Sequence, residues 1–178
     1  MGRDKALLPY RGRTLAQTVA QTVAQAVAEA VGTAGTVSLV GRPQRDGHLG
    51  YGVVPDIYPG EGPLGGILTA LQHSTADWNL IVACDMPELS VAFLGQLLDA
   101  AEQRECDALV PTGPSGRLEP LCAVDHRNSR QGLYSAFARG VRKIALALEE
   151  VRTIPWPVSE LACFQNVNTP EDWAPYER

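Results

Sequence analysis

The chain has 178 residues, 45% apolar and 20% charged, which suits one packed domain and leaves too little charge for a disordered one. Its 15 basic and 20 acidic side chains give a net charge of −5, which excludes nucleic acid as the main partner, because phosphate backbones need a basic field. No apolar run reaches the roughly 18 residues that span a bilayer, and no apolar leader follows Met1, so neither a membrane nor a secretory setting is expected.

One local exception to the acidic balance opens the chain. Arg3, Lys5, Arg11 and Arg13 face a single acid, Asp4, and could serve a small anionic ligand. The next element is predicted as a helix over Thr14–Val31, about 27 Å long. Leu15, Val19, Val23, Val27 and Val31 recur every fourth residue as one packing stripe. Thr14 and Gln17 have capping-box spacing, and Gly32 suits the stop.

Short strands are expected at Thr36–Gly41 and Gly52–Pro55. Pro63, well placed as a first helical residue, starts a helix running to about His73. Leu80–Cys84 is apolar on both faces, the pattern of a strand buried between helix layers. Ser90 caps a helix over Val91–Arg104, followed by strands at Asp107–Pro111 and Pro120–Val124. A helical stretch over Gln131–Glu150, a strand at Arg152–Pro155, a short strand at Phe164–Val167 and a helix from Thr169 complete the order. The alternation predicts a single three-layer α/β domain over residues 1–178, with a mostly parallel sheet.

Ligands of such sheets bind beyond the carboxyl ends of the strands. That rule selects Asp85, just after Leu80–Cys84, Asp56 after Val53-Val54-Pro55, and Asn166 and Asn168 around the last strand. A carboxylate there, without a zinc-type ligand set, suits Mg²⁺ completed by water and phosphates. An Asx turn before Pro87 is the structural alternative for Asp85. The glycine-rich run Pro59–Ile67, with Gly62, Pro63 and Leu64 entering the helix, suits either an anion at a helix N-terminus or a tight turn. It is neither a Walker loop nor a GxGxxG fingerprint, which argues against P-loop and NAD chemistry.

His48, His73 and His126 have no ligand spacing, and no G-x-S-x-G elbow is present. Cys84, Cys106, Cys122 and Cys163 lie far apart, as expected of free thiols in a reducing cytoplasm. Cys84, beside a carboxylate that disfavours the thiolate, reads as structural.

Taken together, Met1-Gly2-x-Asp4-Lys5-Ala6-Leu7-Leu8-Pro9, Gly62–Ile67, Cys84-Asp85-Met86-Pro87, Glu119-Pro120-Leu121 and Asn166-Val167-Asn168-Thr169-Pro170-Glu171 resemble the motifs of the molybdenum cofactor guanylyltransferases. The first resembles the tail of the signature LAGGxSxRMGxDK. Its strand and glycine-rich loop would precede Met1, so the domain is expected to lack them. The resemblance implies a Rossmann-like domain and GMP transfer from GTP to the terminal phosphate of molybdopterin carrying molybdenum, with release of pyrophosphate. It implies catalytic roles for Lys5, on the nucleotide phosphates, and Asp85, holding Mg²⁺. It also implies nucleotide contacts from Asp56 and the Gly62–Leu64 turn, and a pterin side at Asn166, Asn168 and Glu119. Molybdoenzymes or other cofactor-pathway proteins are the implied protein partners. The acceptor is already anionic, so the reaction needs charge neutralisation and alignment, not a His or Cys nucleophile. Two other readings stay open: transfer from CTP or to a sugar phosphate, and a non-catalytic nucleotide- or cofactor-binding module.

Overall fold

The structure is a computed structural model that describes residues 5–32, 35–159 and 164. A hairpin that the sequence pattern did not reveal comes first, with β1 at Pro9–Tyr10 antiparallel to β2 at Arg13–Thr14. Two residues per strand are too few to show a period of two. The signal that could have found it is the Arg11-Gly12 pair, whose φ angles of 46° and 82° make a two-residue turn with both residues left-handed.

Helix α1, Leu15–Val31, starts and stops where the caps predict. The Thr14 hydroxyl accepts from the Gln17 N–H, and the Gln17 side chain accepts from the Thr14 N–H. The predicted stripe fades along the helix. Leu15 and Val19 are buried, whereas Val31 is 45% exposed because the last turns run past the core. Alanines 16, 20 and 26 carry much of the contact instead.

The remaining elements are β3 (Ser38–Gly41), α2 (Pro43–Asp46), β4 (Gly52–Pro55), α3 (Pro63–His73), β5 (Trp78–Val82) and α4 (Val91–Glu102). They are followed by β6 (Ala108–Thr112), β7 (Cys122–His126), α5 (Ser129–Ala138), α6 (Ile144–Ala147) and β8 (Thr153–Pro157). The long helical stretch expected to Glu150 is thus broken into pieces, with Gly140 at φ 90° ending the first. Of the segments expected after β8, only Phe164 falls within the described residues.

Strands β5-β7-β6-β8 form one sheet. β7 runs antiparallel to β5 and β6, while β6 and β8 are parallel, so three of the four strands point the same way. β3 and β4 form a parallel pair. Alternation then sorts side chains between two cores. Val110, Ala123 and Ile81 meet α3, α5 and α6 on one face. Leu109, Val124 and Leu80 meet α1 and α4 on the other. That is the three-layer arrangement, α/β/α.

Strand β5 differs from expectation in two ways. It ends at Val82, so Asp85 lies three residues beyond it, and it is half-buried throughout, whereas β6 is buried along its whole length. The reason lies in the pairing. Helix α3 packs on β3, β4 and β5, yet among the described strands β4 pairs only with β3, and β5 only with β7. Among the described strands, one with apolar residues on both faces therefore lies at a sheet edge. No helix among the described residues is long and apolar enough to cross a membrane.

Candidate functional site

The turn carrying Asp85 is set by its flanks. The Ala83 N–H donates to the Leu121 carbonyl at 2.8 Å, continuing the antiparallel β5–β7 pairing, while Met86 and Leu89 are sunk into the α1/α4 core. Asp85 is thereby held on a short rigid segment. Its Oδ1 is buried and has no hydrogen-bond partner among the described residues. An Asx turn would have engaged such an oxygen; a buried carboxylate oxygen left unpaired calls for a cation or a proton donor.

The same pairing brings Glu119 to this end of β5. Val82 faces Cys122 in the ladder, so Glu119 and Asp85 extend past it on neighbouring strands. Glu119 is tied through its N–H to the Pro111 carbonyl at 2.8 Å, and its carboxylate lies 3.6 Å from Arg117.

Lys5 heads a short 3-10 turn, Lys5–Leu7, that packs on α1 and is closed by the Leu8 N–H donating to its carbonyl. The hairpin that follows reaches the Asp85 segment. The Tyr10 hydroxyl donates to Glu88 Oε1 at 2.6 Å across 78 positions of sequence, and Tyr10 is only 1% exposed. The structure thus ties the hairpin that follows Lys5 to Glu88, three residues beyond Asp85. Neither Tyr10 nor Glu88 was selected from the sequence, since nothing local marks a contact of that span.

Asp56 directly follows β4, as expected. Its Oδ1 accepts from the Tyr58 N–H at 3.0 Å and from the buried Thr69 hydroxyl at 3.2 Å, so one oxygen organises the loop into α3. Gly62 stands at φ 81°, a left-handed conformation, and Pro63 and Leu64 begin the helix, with Leu64 fully buried. No side chain caps this helix start. The loop is also clasped from outside. Glu61 pairs with Arg142 at 2.6 Å, and Arg142 stacks 4.0 Å above the Phe137 ring, which in turn packs on Tyr58. Asn166 and Asn168 lie outside the described residues.

Gly65 is needed for its small size. A Cβ there would lie 2.9 Å from Tyr58 Cβ and 3.2 Å from the Tyr58 carbonyl. Gly65→Ala is expected to destabilise the domain by about 1 kcal/mol, because an overpacking cost of about 2 kcal/mol exceeds alanine's helix gain of about 1 kcal/mol. A lowered urea midpoint at unchanged slope would check this.

Among the described residues no three His, Cys, Asp or Glu side chains gather to hold a metal by themselves. A lone carboxylate oxygen suits a hard cation whose remaining ligands are water and substrate phosphates, not zinc.

Comparison with known proteins decides the family. The profile of the MobA-like NTP transferase domain matches residues 1–151. The chain belongs to this family. Molybdenum cofactor guanylyltransferase of Xanthomonas euvesicatoria pv. vesicatoria (strain 85-10) is 34% identical over 180 residues, covering 98% of this chain and 86% of that protein. Probable molybdenum cofactor guanylyltransferase of Bacillus cytotoxicus is 33% identical over 129 residues, covering 68% of this chain but only 63% of its own length. Molybdopterin-guanine dinucleotide biosynthesis protein A from Archaeoglobus fulgidus superposes with a TM-score of 0.80 at 26% identity, over 99% of this chain and 90% of that one. The Rossmann-like nucleotidyltransferase fold expected from the motifs is therefore the fold of the family, and the match covers every described site residue.

Proposed function

We propose that this chain transfers GMP from GTP to the terminal phosphate of molybdopterin carrying molybdenum, releasing pyrophosphate, in the cytoplasm. Its relatives carry the name of that activity, and one of them aligns along 98% of the chain. The observation that carries the reading to named atoms is the unpartnered, buried Oδ1 of Asp85 at the end of β5.

In this reading Asp85 would hold Mg²⁺, which would supply charge neutralisation at the nucleotide phosphates. Lys5 lies against the nucleotide phosphates and adds a second positive charge. Asp56 and the Gly62–Leu64 turn form the nucleotide wall, with the Arg142–Glu61 clasp holding that wall against α5. Glu119, Asn166 and Asn168 belong to the pterin side. The terminal phosphate of the acceptor is the nucleophile, so no side chain has to remove a proton. Molybdoenzymes or other proteins of the cofactor pathway are the partners that would receive the product.

The test is pyrophosphate release with molybdopterin, comparing GTP, CTP and ATP, with and without Mg²⁺. The expected result is metal-dependent release with GTP at least tenfold above CTP. Preference for CTP would overturn the guanylyl assignment, and binding without turnover would make the chain a carrier.

A further inference from the structure

The two charged groups assigned to the nucleotide stand on segments far apart in sequence, Lys5 near the start of the chain and Asp85 beyond β5. Their spacing matters, because misplacing a reacting group by about 1 Å can cost about 10²-fold in rate. A polar contact joins the chain that follows Lys5 to the chain that follows Asp85, from the Tyr10 hydroxyl to Glu88 Oε1 at 2.6 Å. We infer that Tyr10 and Glu88 are a positioning pair that sets Lys5 relative to Asp85. The inference rests on the nucleotidyl-transfer reading above and adds to it two residues that act through Lys5.

On the Glu88 side the link reaches Asp85 over a short frame. Residues 84–85 and 87–88 make two consecutive turns that share Met86, which is 1% exposed in the α1/α4 core. The Ala83 N–H ties the start of the first turn to the Leu121 carbonyl at 2.8 Å. Pro87, with its fixed φ, stiffens the second, and the Leu89 N–H closes it on the Met86 carbonyl at 3.5 Å.

On the Tyr10 side the link runs back to Lys5. The Leu8 N–H donates to the Lys5 carbonyl at 3.1 Å, and the Leu8 carbonyl accepts from the Leu15 N–H at 2.9 Å. The Leu8 side chain packs on Tyr10 and Leu15, both buried. Tyr10 thereby braces the turn that carries Lys5 against the start of α1.

The packing around this link is apolar. Helix α1 meets both sides, through the Lys5–Leu7 turn and through Val23 and Ala26, which share a core with Met86 and Leu89. Apolar contacts are non-directional, so they set how closely segments approach and not their register. A hydrogen bond to an ionised acceptor sets both, and at 2.6 Å this one is of the short, strong kind. Tyr10 is 1% exposed, and a buried phenol hydroxyl without a partner is costly, which holds the ring to Glu88. Arg11 backs the pair, its guanidinium 5.1 Å over the Tyr10 ring and 3.6 Å from the same Glu88 oxygen. The Arg11 backbone is left-handed, with φ at 46°, and such strain persists where the surroundings over-determine it.

The experiment is a set of variants of the full chain, read in affinity for GTP with Mg²⁺ and in pyrophosphate release with molybdopterin. Tyr10→Phe keeps the ring and removes the hydroxyl, while Glu88→Gln keeps an oxygen acceptor that Glu88→Ala lacks. Thermal melting follows folding. Tyr10→Phe and Glu88→Ala are each expected to weaken GTP affinity about threefold and turnover about tenfold. The double variant should lose no more than either alone, and Glu88→Gln should recover most of the loss. In a Lys5→Ala background the same changes should leave affinity and turnover where Lys5→Ala alone puts them, even as the melting temperature falls. A loss of equal size with and without Lys5 would make the pair a support of the fold alone and overturn the inference. Unchanged affinity and turnover in Tyr10→Phe would overturn it too. GTP binding without turnover in the wild type would refute only the nucleotidyl-transfer reading, and the comparison with Lys5→Ala would then be decided in affinity. A wild type that binds no GTP would overturn both.

Discussion

Replacing Asp85 by alanine is expected to lower Mg²⁺-dependent pyrophosphate release by about 10³-fold, on the order of 4 kcal/mol in barrier height. The size follows from the role. A phosphoryl centre under attack by another phosphate gains most from a cation that neutralises developing charge, and among the described residues no multi-carboxylate cage could keep the metal without Asp85. The effect should fall on turnover, with the chain still folded. Met86 and Leu89 hold the turn in the core on either side, and the Asp85 oxygen that would be removed makes no hydrogen bond. Removing it costs no internal partner, so the melting temperature should stay close to that of wild type. Asp85→Asn separates charge from shape. It keeps the volume and loses the metal, so activity as low as in the alanine variant supports a cation site. Full activity in Asp85→Asn would mean that the carboxylate serves as a turn residue after all, and the metal would have to be sought elsewhere.

How much of this was legible in the sequence depended on whether the deciding contacts were local. Helix α3 was placed closely, near Pro63 and to about His73, because its start is marked locally by Pro63. The Thr14–Gln17 capping box was equally plain, since cap and partner are three positions apart. The direction of β7 was not readable. An apolar run pairs as well either way, and only the chain's path from β6 to β7 decides it. The stripe on α1 was read too far, because periodicity reports a face and not the depth of core beneath it, and Val31 extends past that depth. At the site, Asp85 could be picked from its place after a strand. The link from its turn to the Lys5 hairpin could not, because Tyr10 and Glu88 meet only through the fold. The same holds for Arg142, which reaches the glycine-rich loop from 81 positions away.

A buried acid far from the phosphate site gives the second large prediction. Asp125 on β7 is 3% exposed and lines a tight apolar seam with Ile67, Val110, Leu133 and Leu148. Burial alone pushes its carboxyl up from the ordinary 3.8 to about 7. In the window between those values the folded chain holds a proton that the unfolded chain has released. Stability is therefore fully present below about pH 4 and falls as pH rises towards 7. Each pH unit in the window is worth about 1.4 kcal/mol, so the whole descent is on the order of 4 kcal/mol. Asp46 does not obscure it. Its carboxyl is held below the ordinary value by the Arg45 side chain at 2.6 Å, so its contribution is lost only on acidification below that range. Asp125→Asn removes the charge and keeps the shape. Urea midpoints of wild type and variant measured between pH 4 and pH 8 should diverge as pH rises, with the variant gaining steadily on wild type. A constant difference across that range would show that Asp125 does not change its protonation on folding. Because Ile67 of α3 shares the seam with Asp125, a charged carboxyl there loosens the helix that carries the nucleotide loop. GTP affinity of the wild type is accordingly expected to weaken above pH 7 more than that of Asp125→Asn.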